Sequence, residues 1–224
     1  MPVVLKAGLS MAVAVMLMPH LELPQINVLD SPYVLVLGIV GEVIIGVMIG
    51  LATQLIFTGI QLAGQISGFQ MGFALANVVD PASSLQIPLL AQFINLFALM
   101  IFFATNAHYY FIKALVDSFS LVPPMTAHFN AGLMPILTKM AGNAFVIAIK
   151  VGAPVIIALL LSNVALGLTA RTVPQMQIFV VAMPLKILMG LFFLGISLPF
   201  MAAFFDHEFV QFGQNLIRLI ALFR

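Results

Sequence analysis

The chain has 224 residues, of which 63% are hydrophobic and only 7% are charged, and its mean hydropathy is +1.21. A soluble domain is about half apolar and about a quarter charged, so this composition indicates a membrane protein. A net charge of +1 excludes the basic surface that binds nucleic acid, and the count of 0 cysteines excludes disulfides and thiolate metal sites.

The first predicted helix is an apolar run over residues 3–18, which Pro19 ends. Lys6 and the apolar residues after it also fit a signal peptide, whose apolar region typically has ~7–15 residues. No convincing small-residue cleavage site follows the run. We therefore favour a helix that remains part of the protein.

The second run, residues 33–79, contains Glu42 as its only charged residue. A single helix of this length would reach ~70 Å at ~1.5 Å per residue, more than twice the ~30 Å hydrocarbon core of a bilayer. No proline interrupts the run. The sequence therefore predicts a hairpin or a helix that breaks at a glycine.

One face of this run is small and polar. Gly46 and Gly50 are four residues apart, as are Gly64 and Gly68, and small residues at this spacing let two helix backbones approach closely in lipid. We predict that this face packs against a partner helix and does not contact lipid. Its members are Glu42, Gly46, Gly50, Gln54, Gln61, Gly64 and Gln65.

Further apolar runs cover residues 87–119, 129–168 and 177–205, and an amphipathic tail follows at 207–224. The tail has the helical spacing of an interfacial or partner-facing helix. The chain is therefore predicted to be one all-α, integral membrane-type domain over residues 1–224. Its few Lys and Arg residues are too scattered to assign a membrane orientation from loop charge.

No nucleophile motif, phosphate-binding loop, dinucleotide fingerprint or metalloprotease motif is present in the sequence. We therefore predict no enzyme activity, no metal and no cofactor. The densest titratable cluster is Asp206, His207 and Glu208, but adjacent residues on a helix point in different directions. The cluster is predicted to be the solvated start of the tail helix.

Three charged residues lie inside apolar runs: Glu42, Lys150 and Lys186. One interpretation is a proton or ion relay, in which Glu42 works with Lys150 or Lys186 in a secondary transporter or ion-channel subunit. The other interpretation is structural: the three residues form pairs between helices, or they indicate that these segments do not lie in lipid. We favour the structural interpretation, because a relay usually needs several ionisable groups in sequence.

Three blocks resemble a known family: residues 62–81 (LAGQISGFQMGFALANVVDP), residues 87–119 and residues 152–199. Together they are similar to the FliR family of flagellar biosynthetic proteins, the export-gate components of type III secretion, which have a counterpart in injectisomes. Besides Gln61 and Gln65, the residues that carry the resemblance are Asp80, Pro81, Asn106, His108, Asn163, Gly167, Arg171, Pro174 and Gln175.

The resemblance implies a structural and gating subunit of the flagellar protein export channel, in the bacterial inner membrane at the basal body. It implies helical hairpins that form part of a conical export-gate shell. The implied partners are FliP-like and FliQ-like membrane subunits, FlhB-like and FlhA-like gate proteins, membrane lipid and the unfolded flagellar proteins that are exported. Members of the family generally begin with a further apolar helix before the position that Met1 has here, and this sequence starts after it, either because the start site was assigned late or because the protein is natively short.

The family has a loop that closes the pore, and the resemblance places it at residues 68–81, here called the closing loop. Bulky, deformable Phe and Met side chains can seal a pore, and glycines permit a turn. Asn77 and Asp80 could cap or pin the loop before Pro81 begins the next helix. The alternative is a packed hairpin corner of the same composition. The predicted pore residues are Gly68, Phe69, Met71, Gly72, Phe73, Asn77, Asp80 and Pro81.

Overall fold

The computed structural model describes residues 2–20, 32–73, 88–124, 126, 132–172 and 178–223. Within these ranges the chain forms six α-helices and one 3-10 turn, Met18–His20, and no strand. The predicted all-α class is confirmed. The helices are α1 (Val3–Leu17), α2 (Pro32–Met71), α3 (Leu89–Ala104), α4 (His108–Leu121), α5 (Leu133–Thr172) and α6 (Ile178–Ala221).

The long runs form helices with different boundaries from those predicted. Within the run 33–79, α2 is one helix of 40 residues that continues to Met71, so the described residues before Gly72 contain neither a hairpin nor a break. Its glycines up to Gly68 keep helical geometry, and the helix ends only where Gly72 adopts a positive φ. The run 177–205 and the tail 207–224 also join into one helix, α6, of 44 residues.

Three helices of the described chain are long and apolar enough to cross a membrane: Leu35–Met71, Leu133–Thr172 and Val181–Ala221. The number becomes four if α3 and α4, on either side of a short break, count as one broken span. The predicted membrane character is therefore confirmed.

The chain divides into two compact units, and the single domain over residues 1–224 stays a prediction. The first unit contains Met1–Leu51, His108–Ile136 and Val210–Arg224. Its α4 packs on the end of α6, since the Phe111 and Phe212 ring centroids lie 5.1 Å apart. The tail therefore packs its apolar face inside this unit. None of the residues of α1 is buried.

The second unit contains Ala52–Ala107 and Leu137–Phe209. Its core includes phenylalanines from three helices: Phe57 of α2, Phe102 of α3 and Phe209 of α6. The centroid of the Phe102 ring lies 5.7 Å from that of Phe57 and 5.2 Å from that of Phe209. Edge-to-face aromatic pairs at these distances are favourable, so they help to hold the three helices together.

Candidate functional site

A tight turn ends α2 just before the central part of the closing loop. Gly72 has a φ of 92°, a conformation that costs glycine little. The Gly72 amide donates a hydrogen bond to the Phe69 carbonyl, and the Phe73 amide donates one to the Gly68 carbonyl, both at 3.1 Å. This pattern is a Schellman motif, which satisfies carbonyls at the end of a helix. The turn occurs at Gly72, while Gly68 remains helical.

The bulky side chains around this turn occupy different environments. Phe69 is 64% exposed, whereas Met71 is fully buried. Met71 lies against Gly190 of α6, where a Cβ would be only 2.7 Å from the Met71 Cγ. Phe73 is half-buried. Phe69 is thus exposed within this chain, whereas Met71 fills a space that Gly190 leaves open, and the pore roles of both residues stay predictions.

The later part of the closing loop, including Asn77, Asp80 and Pro81, lies outside the described residues, as do Pro174 and Gln175. Their predicted roles stay predictions.

The predicted packing face of α2 divides into contacting and open positions. A Cβ on Gly64 would overlap the Ala91 Cα of α3 and would lie 2.8 Å from the Ala91 backbone nitrogen. Around Gly46 and Gly50, in contrast, a Cβ would meet nothing described within 4 Å. Gly64 therefore already has its partner helix inside this chain.

The glutamines of this face point away from the core of the second unit. Gln54 and Gln61 are exposed and Gln65 is half-buried. The Gln61 Nε2 donates a hydrogen bond of 3.4 Å to the Asn95 Oδ1 of α3. Glu42, in the first unit, is half-buried.

Glycine contacts that the sequence reasoning did not select also hold the second unit together. A Cβ on Gly59 would lie 2.5 Å from the Ala144 carbonyl oxygen of α5. A Cβ on Gly152 of α5 would lie 3.4 Å from the Ser67 Oγ of α2. Gly59 and Ser67 belong to a buried seam that also contains Ile56 and Ala63. Their repeated spacing of three or four residues was a usable signal.

A second Schellman motif ends α3 at Asn106, whose φ is 56°. The Asn106 amide donates to the Phe103 carbonyl at 3.1 Å, and the Ala107 amide donates to the Phe102 carbonyl at 2.9 Å. Asparagine tolerates the left-handed conformation better than most residues, which explains this residue type at this position.

The remaining described residues of the family motifs lie apart from this turn. His108 begins α4, and its ring centroid is 4.4 Å from that of Tyr109. On α5, Asn163 is half-buried and Gly167 has open space around its Cβ position. Arg171 lies in the last turn of α5, where a cation complements the helix dipole.

The charged residues inside the apolar runs have varied surroundings. The Lys150 Nζ lies 5.5 Å from the centroid of the Phe204 ring, within reach of a cation–π interaction. Lys186 is half-buried. No group of three or more His, Cys, Asp or Glu in the described ranges could hold a metal ion.

Glu208 corrects the prediction of a solvated helix start at Asp206 to Glu208. The residue lies inside α6 and is only 8% exposed. Its Oε2 accepts a hydrogen bond of 3.4 Å from the Asn143 Nδ2 of α5. Because Met201, Phe205 and Phe212 are also buried, the spacing of apolar residues around Glu208 already placed it on the buried face of the helix.

These features define an all-helical membrane protein whose long helices pack at glycines and whose second helix ends in a fixed turn. The sequence model of bacterial export proteins, family 1, matches residues 1–212. The flagellar biosynthetic protein FliR of Escherichia coli strain K12 is 34% identical over 216 residues, which cover 96% of this chain and 82% of the relative.

Two further relatives extend the comparison. FliR of Bacillus subtilis strain 168 is 32% identical over 227 residues, covering 99% of this chain and 87% of the relative. The surface presentation of antigens protein SpaR of Shigella flexneri is 31% identical over 157 residues, covering 69% of this chain and 60% of the relative. The chain belongs to the bacterial export proteins, family 1, as the three sequence blocks predicted.

Proposed function

We propose that the chain is a structural and gating subunit of the flagellar type III export channel, in the bacterial inner membrane at the basal body. The family match and the names of the relatives support an export role, and the apolar helices support a membrane location. In this proposal the chain assembles with FliP-like and FliQ-like subunits and contacts FlhB-like and FlhA-like proteins. Unfolded flagellar proteins pass through the assembled channel.

The observation that carries the gating role is the fixed attachment of the closing loop. The Schellman turn at Gly72 forms the first part of the closing loop, and buried Met71 packs against Gly190 of α6 next to that turn. The segment 74–87 leads to α3, whose Ala91 is in backbone contact with Gly64 of α2. The described residues on both sides of this segment are therefore packed against neighbouring helices.

The structure refines which side chains could seal a pore. Phe69 is exposed on the last turns of α2, and its bulk suits a seal. Met71 suits an anchor, because it is buried against Gly190. The later residues of the closing loop complete the seal in this proposal.

Assembly is tested by purifying the tagged chain from membranes. We expect FliP-like and FliQ-like subunits to copurify, because α1 has no buried residue and Gly46 and Gly50 leave open space on α2. Recovery of a stable monomer that supports no export would overturn the proposal.

Gating is tested by deleting residues 74–79, which lie after the Gly72 turn and leave it intact. We expect the complex to assemble and the membrane to leak small ions. Gly167→Ala is the matched control, since a Cβ there meets nothing described within 4 Å and lies far along the sequence from the loop. A fully assembled deletion complex without a leak would remove the gating role but not the export role.

A further inference from the structure

A stripe of uncharged polar side chains runs along the outer side of the second half of α2. Gln54, Thr58, Gln61 and Gln65 are spaced by four, three and four residues, which places them within about 60° of one another at ~100° per residue. The first three are exposed and Gln65 is half-buried. The stripe therefore faces away from the core of the second unit.

The neighbouring helix α3 extends this stripe. The hydrogen bond from Gln61 to Asn95 joins the two helices at their polar sides, and Gln92 lies one turn before Asn95 on the same side of α3. Gln92 is exposed and Asn95 is half-buried. We call this two-helix area the amide surface; it consists of Gln54, Thr58, Gln61, Gln65, Gln92 and Asn95.

The opposite side of α2 shows why the amide surface is not part of a core. Ala52, Ile56, Ile60 and Ala63 are at most 5% exposed and pack inside the second unit. Lipid offers no hydrogen-bond partners to side-chain amides, so burying them against lipid is unfavourable. The amide surface therefore requires water or protein next to it.

The amide surface also carries no charge. Residues 43–79 and 81–107 contain no Asp, Glu, Lys, Arg or His. Each primary amide both donates and accepts hydrogen bonds, so the surface offers many donors and acceptors. Because it carries no charge, it does not favour contacts of either charge.

We propose that the amide surface contacts the main chain of an unfolded polypeptide in transit, an inference that rests on the proposed export function. An unfolded chain presents an unpaired N–H and C=O at almost every residue, whatever its sequence. Long glutamine side chains can follow such a chain as it moves. Because the surface is uncharged, polypeptides of different composition can pass.

A fixed partner helix fits this surface less well. The backbone groups of a helix are already paired with one another, so a partner helix would offer only its side chains. Close helix packing in membranes favours small residues, such as Gly46 and Gly50 on the first half of α2, whereas the amide surface presents long glutamine side chains. The change in residue type along α2 favours a moving polypeptide on the second half.

Photo-crosslinking in the assembled apparatus tests the contact. We would replace Thr58 by p-benzoylphenylalanine, because Thr58 carries no amide and its hydroxyl donates to the backbone carbonyl of Gln54. The amide side chains of the surface then stay intact. The matched control is Phe93, 48% exposed on α3 and on a different side from Asn95. The probe is an exported flagellar protein fused to a tightly folded domain that stalls in the channel.

We expect the stalled protein to crosslink at position 58 and not at position 93. If position 58 crosslinked only to another membrane subunit, giving a product of the same mass with and without the stalled protein, the inference would be overturned in favour of a partner helix. The absence of any crosslink to the stalled protein at 58, while that protein crosslinks elsewhere in the channel, would also overturn it and would leave the proposed export function intact.

Export rates supply a second test. We expect the triple variant Q54L/Q61L/Q65L to slow export by about two- to ten-fold for substrates of differing charge, since the lost hydrogen bonds are individually weak. The control Q54N/Q61N/Q65N retains the amides and should export at close to the normal rate. Equal rates for the leucine and asparagine triples, both fully assembled, would overturn the inference.

Discussion

The two halves of α2 share the same glycine spacing but have opposite environments. Gly46 and Gly50 lie in the first half, where a Cβ would meet nothing described within 4 Å. Gly64 lies in the second half, against the backbone of Ala91, and Gly59 lies against that of Ala144. The same pattern therefore marks an internal helix contact in one half and an open surface in the other.

This difference separates two uses of a small residue. In the second half, glycine is required because another backbone occupies the place of its side chain. At Gly46 and Gly50, no described residue occupies the place of a side chain, so any requirement for glycine at these two positions comes from a neighbour outside the described chain. Substitutions at matched positions in the two halves measure this difference.

The largest expected effect is at Met71. Met71→Ala empties a fully buried site beside Gly190 and should lower the free energy of unfolding by about 3 kcal/mol. Met48→Ala, at a half-buried position in the first half, should lower it by less than about 1 kcal/mol. Denaturant unfolding of the purified chain in detergent measures both values. Equal losses at the two positions would contradict the assignment of Met71 as an anchor.

Glycine substitutions compare the two halves most directly. Gly64→Ala places a methyl group against the backbone of Ala91 and should cost about 2 kcal/mol. Gly46→Ala meets open space and should raise stability by about 0.5–1 kcal/mol, because alanine is the better helix former. The same unfolding assay gives the sign of each change. If Gly46→Ala alone also prevented copurification of the FliP-like subunit, a partner backbone would lie against that position.

The turn at the end of α2 is tested by Gly72→Ala. A side chain at a φ of 92° is strained, so the variant should lose about 1–2 kcal/mol of stability. Asn106→Gly removes a side chain at the other Schellman turn without introducing strain, so its effect should be smaller. Thermal unfolding of the two variants measures both effects, and an unchanged Gly72→Ala variant would show that the turn relaxes easily.

The smallest expected effect is at Ser67. Its Oγ is buried and has no hydrogen-bond partner among the described residues, so Ser67→Ala should raise stability by about 0.5 kcal/mol. Ser197→Ala is the matched control, because the Ser197 Oγ donates a hydrogen bond to the Leu194 carbonyl at 2.8 Å. This variant should lower the free energy of unfolding by a similar amount. A loss at both positions would indicate that Ser67 has a partner in the assembled protein.

The sequence was sufficient for the class of fold and for the position of one turn. High hydropathy and long apolar runs predicted membrane helices, and the glycines near residue 70 predicted a change of direction, which occurs at Gly72. Among the described glycines of the run 33–79, Gly72 is the one at which the helix ends, so that α2 continues for 40 residues and is longer than one bilayer crossing needs. Helix length follows local hydrogen bonding and the nearest stop signal, and no described residue before Gly72 provides one.

Which side of each helix is buried could be predicted only in part. A helical wheel groups Gly64 with Gln61 and Gln65, but the structure buries the glycine against α3 and exposes Gln61. A helical wheel gives the direction of each side chain around the helix axis. Whether that side chain is buried depends on which other helix of the chain packs against it. Glu208 is a different case, since its charge suggested solvent although the apolar spacing around it indicated the buried face, where the Asn143 amide donates a hydrogen bond to it.

The central claim is that a loop anchored between α2 and α3 closes an export channel. Single-channel recording of the purified complex in planar bilayers tests it most directly, comparing the unmodified chain with the deletion of residues 74–79. The account predicts that the unmodified complex stays closed and that the deletion complex, with all its subunits present, conducts small ions. A deletion complex that assembles fully and stays closed would contradict it.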